Sequence, residues 1–384
     1  MKKLVSILCA AAMTAALLAG CGSAAADSSA AAETAAAQAT VETAAEDAAA
    51  EATSEAASGE TAEEAASEAV SEAADEAAEE TADPVDVNVM ALKGPTAMGM
   101  VQFMDQVDSG AITDQNYQFT IAAAADEVTP KLVQGEADIA AVPANLASVL
   151  YNNTEGGVEV LAINTLGVLY IVESGDTVQS VEDLKGRTIY ASGKGSTPEY
   201  ALNYILTQNG IDPETDVTIE WKSEHAECLS ALMADSEAIA MLPQPFVTTA
   251  QTKSDTIRVA LDLTQEWDKL QEGSENPSAL ITGVVVARKA FVEENPAAVE
   301  SFLAHYQESV DYVNSNVDEA AQLVGKYDIV TAEVAQKAIP ECNITYIAGS
   351  EMKEKLSGYL AVLLEQNPQS VGGALPGDDF YYGA

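Results

Sequence analysis

Positively charged residues are scarce in this sequence. Its 384 residues include 17 lysines and arginines against 61 aspartates and glutamates, giving a formal net charge of −44 at pH 7. Nucleic-acid binding relies on basic patches that neutralise phosphates. The composition therefore argues against a nucleic-acid partner.

Cysteine and histidine are also scarce, which removes several kinds of catalytic and metal site. The four cysteines form no Cys-x-x-Cys pair, so neither a zinc site nor a redox site is predicted. Cys228 and Cys342 lie far apart, and a disulfide between them stays open. His305 falls in an amphipathic helical stretch, and His225 shares a helical face with Cys228 without other catalytic partners. We therefore predict no catalytic residue, no metal and no cofactor.

The N-terminal segment is predicted to be a secretory signal. Two lysines precede an apolar run that is too short to cross a bilayer comfortably. The sequence Leu-Ala-Gly-Cys that ends at Cys21 resembles the lipobox of bacterial lipoproteins. The resemblance implies cleavage after residue 20 and acylation of Cys21, for example with palmitate, which would anchor the protein to the cell membrane. The alternative is an ordinary secreted signal in which Cys21 is incidental.

The segment from residue 22 to residue 83 consists almost wholly of Ala, Glu, Ser, Thr and Asp, and it lacks Lys, Arg and aromatic residues. Such a composition buries too little apolar surface to order the chain, and like charges extend it. With Cys21 it is predicted to form a disordered acidic tether, residues 21–83. Regular Leu or Ile positions, which a coiled coil requires, are missing.

The remaining sequence contains a weak duplication with a period near 100 residues. "IAAVPAN" from Ile139 corresponds to "IAMLPQP" from Ile239, and three further strand-led units recur in the same order. Strands that alternate with helices predict an α/β fold with parallel pairing and a functional site at the carboxyl ends of the strands. We predict two lobes joined by a hinge of two crossings: residues 84–166 with 283–384, and residues 167–282.

Two longer segments carry a resemblance to a known family. "VQSVEDLKGRTIYASGKGSTPEYALNYIL" and "VVVARKAFVEENPAAVESFLAHYQESVDYV" resemble substrate-binding proteins of ABC importers, in particular those for sulfonates, nitrate, taurine or thiamine precursors. The resemblance implies a monomeric, extracytoplasmic type II periplasmic-binding-protein fold that captures a small molecule between its lobes. It also implies a partner ABC permease with its ATPase. The alternatives are a sensor or scaffold lipoprotein, or a pyrimidine-synthase-like enzyme, which the missing Cys-rich segment disfavours.

The resemblance and the repeat point to the same loops as the ligand site. The candidate ligand-binding residues follow successive strands: Lys93, Gly94, Pro95, Thr96, Asp126, Asn145, Thr165, Ser192, Gly193, Lys194, Gly195, Ser196, Thr197, Glu224, Gln244 and Phe246.

The stretch "SGKGSTPEY" is the strongest single candidate. Ser196 and Glu199 match the spacing of a capping box, and Gly193 and Gly195 permit close backbone approach, which leaves N–H groups free for an oxygen ligand. The alternative is a plain helix cap with Lys194 facing solvent.

The charge of the solute stays open at this point. Lys93 and Lys194 predict a clamp for an anion such as a sulfonate or a nitrate-like ion. Asp126 and Glu224 instead favour an amine or a heterocycle N–H, and Phe246 would stack on a pyrimidine-type ring. A zwitterion satisfies both sets of charges.

Overall fold

The computed structural model describes residues 83–273 and 278–384 of the chain, which fall within the compact unit Ala78–Ala384. The predicted signal, the lipidated Cys21 and all but the last residue of the tether lie outside the described residues. None of the helices in the described part is long and apolar enough to cross a membrane.

Eleven strands in the described residues form two separate sheets. In chain order they are β1 (Asp86–Leu92), β2 (Asn116–Ala122), β3 (Ile139–Pro143), β4 (Val158–Leu166), β5 (Leu169–Ser174), β6 (Thr188–Ser192), β7 (Thr218–Lys222), β8 (Ile239–Pro243), β9 (Ile257–Asp262), β10 (Ile281–Arg288) and β11 (Ile344–Ile347). The first sheet has the order β11-β4-β10-β3-β1-β2, and the second has the order β7-β6-β8-β5-β9. The fold is therefore the predicted two-lobed α/β architecture.

Helices connect and cover the strands. In chain order they are α1 (Pro95–Met98), α2 (Val101–Asp108), α3 (Ala125–Gln134), α4 (Ala144–Asn153), α5 (Thr197–Gln208), α6 (His225–Ala234), α7 (Phe246–Lys253), α8 (Leu263–Gln271), α9 (Lys289–Glu294), α10 (Pro296–Ser315), α11 (Val317–Lys326), α12 (Ala332–Ala338) and α13 (Gly349–Gln366). Short 3-10 helices lie at Val181–Leu184, Ile339–Glu341, Pro368–Val371 and Asp378–Phe380. We call the first sheet with its helices the first lobe, and the second sheet with α5–α8 the second lobe.

The duplication read from the sequence is present in the strand register. Val89 of β1 pairs with Ile139 of β3, and Ile189 of β6 pairs with Ile239 of β8, an offset of 100 residues at both positions. The helices α3 and α6, which follow β2 and β7, begin at Ala125 and His225 with the same offset. The two lobes are thus built on one plan.

The prediction of parallel pairing holds for only part of each sheet. The strands β1, β2 and β3 pair in parallel, as do β6, β7 and β8. In contrast, β10 runs antiparallel to β3 and β4, and β5 runs antiparallel to β8 and β9. Strands β10 and β5 enter their sheet directly from the other lobe, so they arrive without the crossover helix that parallel pairing needs. A third strand, β11, also runs antiparallel, to β4.

The chain crosses between the lobes twice. It leaves the first sheet after Leu166 and enters the second at Leu169, then returns between α8 and Ile281 of β10. Gly167 at the first crossing packs so closely that a Cβ there would overlap the Oγ1 of Thr264. The exact limits of the lobes, residues 84–166 with 283–384 and residues 167–282, stay predictions.

Apolar packing fills both lobes and continues between them. Met98, Met100 and Met104 are buried against the first sheet. The rings of Trp267 in α8 and Tyr359 in α13 lie 5.5 Å apart and are fully buried. The helical tail therefore returns to the first lobe and also contacts the second.

Cys228 and Cys342 are both free and buried, so the disulfide that the sequence left open is absent from the structure.

Candidate functional site

The candidate loops occupy the carboxyl ends of strands in both lobes, as the repeat predicts. Gly94 and Pro95 connect β1 to α1, and the Ser192–Thr197 loop connects β6 to α5. Gly94, Gly193 and Gly195 all have positive φ, a backbone conformation that side-chain-bearing residues rarely adopt. These loops therefore depend on glycine to turn sharply at the sheet edge.

The second lobe contains a compact cluster at this edge. Ser192, the last residue of β6, lies with its Oγ 2.5 Å from Nδ1 of His225, the first residue of α6. The ring of Phe246 lies 5.2 Å from the imidazole. Burial lowers the pKa of His225 to about 4, so the imidazole is neutral near pH 7.

His225 is absent from the site that the sequence predicts, whereas Ser192 and Phe246 belong to it. The sequence feature that could have identified His225 is its position. It follows Glu224 in a candidate loop, and it begins a helix that corresponds to α3 in the repeat. Cys228 lies one turn further along α6, where burial raises the pKa of its thiol above the usual range. Because a thiolate is the reactive form, this thiol is inert.

The loop before α5 does not form the predicted capping box. Ser196 is the N-cap residue, but its Oγ donates to the carbonyl of Gly193 at 2.8 Å instead of accepting from the helix. Glu199 accepts from the N–H of Gly195 at 2.6 Å. The positive φ of both glycines curls the loop back over the helix start, which brings these atoms together. The N–H of Gly195 is therefore occupied, so the prediction that it is free for an oxygen ligand is wrong.

Thr197 and Asn145 join the two lobes. The hydroxyl of Thr197, the first residue of α5, donates to Oδ1 of Asn145 in the first turn of α4 at 3.3 Å. Both side chains are fully buried, and Asn145 Nδ2 donates to the carbonyl of Ser370 at 3.0 Å. Two predicted site residues from opposite lobes are thus in direct contact.

Thr96 and Thr165 lie together in the first lobe, but their hydroxyls already have partners. Thr96 Oγ1 donates to the carbonyl of Leu92 at 2.8 Å, and Thr165 Oγ1 donates to Oδ1 of Asn164 at 3.2 Å. A Cβ on Gly283 would lie 2.5 Å from Asn164 Oδ1 and 2.7 Å from Thr96 Cγ2. This cluster packs beneath the Gly94–Pro95 loop. Thr165 is buried within the cluster and has a structural role there.

The charged candidates lie at the surface. Lys93 is exposed and lies 3.6 Å from Asp328, and Lys194 is exposed too. No described contact brings these two lysines together.

Asp126 and Glu224 are also exposed, in the first turn of α3 and at the N-cap of α6. Their neighbours Glu127 and Glu227 make the hydrogen bonds to backbone N–H groups at these two helix starts.

Gln244 occupies a different place. Its Oε1 accepts from the backbone N–H and the hydroxyl of Thr248, at 3.2 and 2.9 Å, and the residue is buried. It lines a cavity of about 510 Å³ between the lobes, together with Tyr170 and Lys337. None of the other predicted site residues lines this cavity.

A second histidine cluster on the surface lacks the geometry of a catalytic triad. Asp114 accepts from Ser301 and lies 3.3 Å from His305 Nε2. The carboxylate, not the imidazole, is therefore the central group, whereas a triad needs the histidine beside the nucleophile. Among the described residues, no group of three or more His, Cys, Asp or Glu side chains could hold a metal ion.

Comparisons with solved structures agree with this fold. An ABC transporter from Parabacteroides distasonis superposes with a TM-score of 0.63 at 24% identity, covering 78% of this chain and 99% of that chain. The periplasmic aliphatic sulphonate binding protein SsuA from Escherichia coli gives 0.62 at 18% identity, with 78% and 96% covered. The periplasmic nitrate-binding protein NrtA from Synechocystis PCC 6803 gives 0.52 at 14% identity, with 66% and 69% covered.

Comparison with curated proteins gave no significant match. The model of one protein family, in contrast, matches residues 103–338, well over half of the chain. That family is described as "ABC transporter, phosphonate, periplasmic substrate-binding protein". The match confirms the resemblance to importer binding proteins that the two sequence segments indicated. The chain belongs to the family of periplasmic phosphonate-type substrate-binding proteins of ABC transporters.

Proposed function

We propose that this protein is a non-enzymatic solute receptor of an ABC importer. It is anchored to the outside of the cell membrane by lipid on Cys21, captures a small molecule between its lobes and delivers it to a permease driven by a separate ATPase. The family match and the lipobox-like sequence support this proposal. Catalysis has no further support: Ser192 contacts His225, but among the described residues no carboxylate hydrogen-bonds to this imidazole to orient it as a base.

The observation that carries the ligand assignment is the pair of helix starts that meet at the cleft. The N-termini of α4 and α5 come from opposite lobes, and Asn145 and Thr197 connect them. The start of a helix favours negative charge. In the first turn of α5 the free backbone donor is the N–H of Thr197, because Pro198 has none and the N–H of Glu199 donates to the carbonyl of Ser196. We infer that the solute carries an oxyanion, such as a phosphonate, a sulfonate or nitrate.

The Ser192–His225 pair suits the same solute. When the Ser192 hydroxyl donates to Nδ1, the imidazole is protonated at Nε2 and donates from there. Because this donor is uncharged, it does not form ion pairs with the acidic side chains of the protein surface, and it remains able to donate to an oxyanion. Lys93 and Lys194 at the loop surfaces would add charge attraction, and Asp126 and Glu224 would accept an amine if the solute also carries one.

A thermal-shift panel on the purified full chain tests this proposal. The panel contains methylphosphonate, phosphate, taurine, ethanesulfonate, nitrate and cytosine. A ligand at 100 times its Kd adds about 2.7 kcal/mol to the free energy of unfolding, which gives a clear rise in Tm. We expect at least one oxyanion to raise Tm, and Ser192→Ala or His225→Gln to weaken its binding about tenfold or more.

The matched control is His305→Gln, which removes the other histidine and should leave the oxyanion affinity unchanged. A Tm rise with cytosine alone would contradict the oxyanion assignment. A panel with no hit of either kind would favour a scaffold or sensor lipoprotein.

A further inference from the structure

The cavity of about 510 Å³ lies on one flank of the interlobe junction. In the second lobe its wall is formed by α7, by β9 and by the start of α8, and in the first lobe by α12 and the following 3-10 helix. Tyr170 Oη donates to the carbonyl of Glu341 at 3.3 Å, which connects the two walls directly. Any molecule in this cavity would contact both lobes.

This cavity is separate from the candidate oxyanion site. Ser192, His225 and Thr197 do not line it, and Gln244 is the one residue of the sequence-predicted site that does. The cavity continues along α7 to its second turn, at Gln251 and Thr252, away from the loops at the helix starts. Its volume falls within the usual range for small-molecule pockets.

Gln244 supplies an unused donor in the wall. The residue is 4% exposed, and its Oε1 must be the acceptor because the backbone N–H of Thr248 donates to it. The amide nitrogen Nε2 has no hydrogen-bond partner among residues 83–273 and 278–384. This nitrogen is not among the buried polar atoms that lack a partner, so water reaches it, and a ligand oxygen in the cavity would take the place of that water.

The charges that line the cavity have both signs. Lys337 is the cation; its partner Glu333 is 3.3 Å away, and because both side chains are largely exposed this ion pair is weak and free to exchange. Asp262 and Glu341 are the carboxylates, and the remaining polar lining is Gln, Thr and Tyr. One cation and two carboxylates suit a ligand that carries both a carboxylate and an ammonium group.

We propose that this cavity, the flank cavity, is a second binding site that takes a zwitterion of amino-acid or dipeptide size. The carboxylate of the ligand binds Lys337 and Gln244 Nε2, and its ammonium group binds Glu341 and Asp262. Because the walls belong to different lobes, occupancy favours one arrangement of the lobes and so couples to solute capture. The proposal is independent of the oxyanion assignment.

The test uses the purified full chain with the twenty L-amino acids and glycylglycine in thermal-shift assays. Sodium acetate and methylammonium chloride serve as probes with a single charge. We expect at least one zwitterion to raise Tm and both single-charge probes to leave it unchanged. Titration calorimetry with the best zwitterion should then show a Kd that increases at least tenfold in Lys337→Gln and in Glu341→Gln.

Two control variants separate this site from the other regions. Lys355→Gln removes another helical lysine, which lies 3.7 Å from Glu351 and does not line the cavity. This variant should leave zwitterion binding unchanged. His225→Gln should also leave it unchanged. The proposal is overturned if no zwitterion binds, if binding survives both cavity substitutions, or if His225→Gln abolishes it.

Discussion

The imidazole of His225 is held by the hydroxyl of Ser192 on one side and packs against the ring of Phe246 on the other. This enclosure explains its low pKa, since burial disfavours the imidazolium form. A histidine that stays neutral across the physiological range acts as a constant hydrogen-bond donor. At the scale of single residues, it is the group that most distinguishes the candidate site.

The low pKa of His225 predicts a specific dependence of stability on pH. In the unfolded chain this histidine binds a proton near pH 6.5, whereas in the folded protein it does so only near pH 4. Between these values the unfolded state binds more protons, so the free energy of unfolding falls as pH falls through this window. Urea unfolding at pH 7, 6 and 5 should show a smaller loss in His225→Gln than in the wild type.

His305→Gln removes the other histidine, whose half-buried ring lies beside Asp114, and serves as the comparison variant. Parallel pH profiles for the wild type and His225→Gln would contradict a neutral, enclosed imidazole.

The two hydroxyls of the Gly-rich loop predict unequal effects on binding. Thr197 donates across the lobes to Asn145, whereas Ser196 donates within its own loop to Gly193. We expect Ser196→Ala together with Thr197→Ala to weaken oxyanion binding tenfold or more, about 1.4 kcal/mol or greater, with most of the loss from Thr197. Calorimetry on both single variants and the double variant measures this, and unchanged affinity in the double variant would move the site elsewhere.

At the scale of elements, the strand-led units were predictable because their apolar runs are short and end at glycine or proline. The runs at Ile139–Pro143 and Ile239–Pro243 are buried strands, as the repeat indicated. The direction of β5 and β10 was not predictable from local pattern, since it depends on which lobe the chain enters from. Similarly, the side-chain partners of Ser196 depend on the φ angles of two glycines, which spacing alone does not specify.

The first crossing between the lobes gives a prediction at this scale. A Cβ on Gly167 would overlap Thr264 Oγ1 and lie 2.9 Å from its Cβ. Overpacking of this kind costs about 1–3 kcal/mol, so Gly167→Ala should lower the free energy of unfolding by that amount. Urea unfolding followed by tryptophan fluorescence measures the loss.

Thr264→Ala in the Gly167→Ala background should restore part of that stability, because it removes the overlapping hydroxyl. Gly377→Ala is the matched control: its Cβ would meet only the ends of the Asp379 and Tyr151 side chains, at 3.0 and 3.1 Å, which can move away. Equal losses in Gly167→Ala and Gly377→Ala would contradict close packing at the crossing.

At the scale of the whole molecule, the lobes contact each other on both flanks of the crossings. Asn145 and Thr197 form one contact, Tyr170 with Glu341 forms a second, and Trp267 packs on Tyr359 in a third. The sequence predicted two lobes and the loops that line their edges, but not these contacts, because they depend on how the C-terminal helices pack between the lobes. The position of the flank cavity has the same origin.

Capture of the solute by both lobes is the central claim, and hydrogen exchange tests it most directly. Amide exchange would be measured on the full chain with and without the oxyanion that gives the largest rise in Tm. Binding between the lobes predicts slower exchange at residues 93–97 and 144–147 of the first lobe and at residues 192–199 of the second. Protection confined to one lobe would contradict the claim, since a solute held by a single lobe has no means of favouring closure.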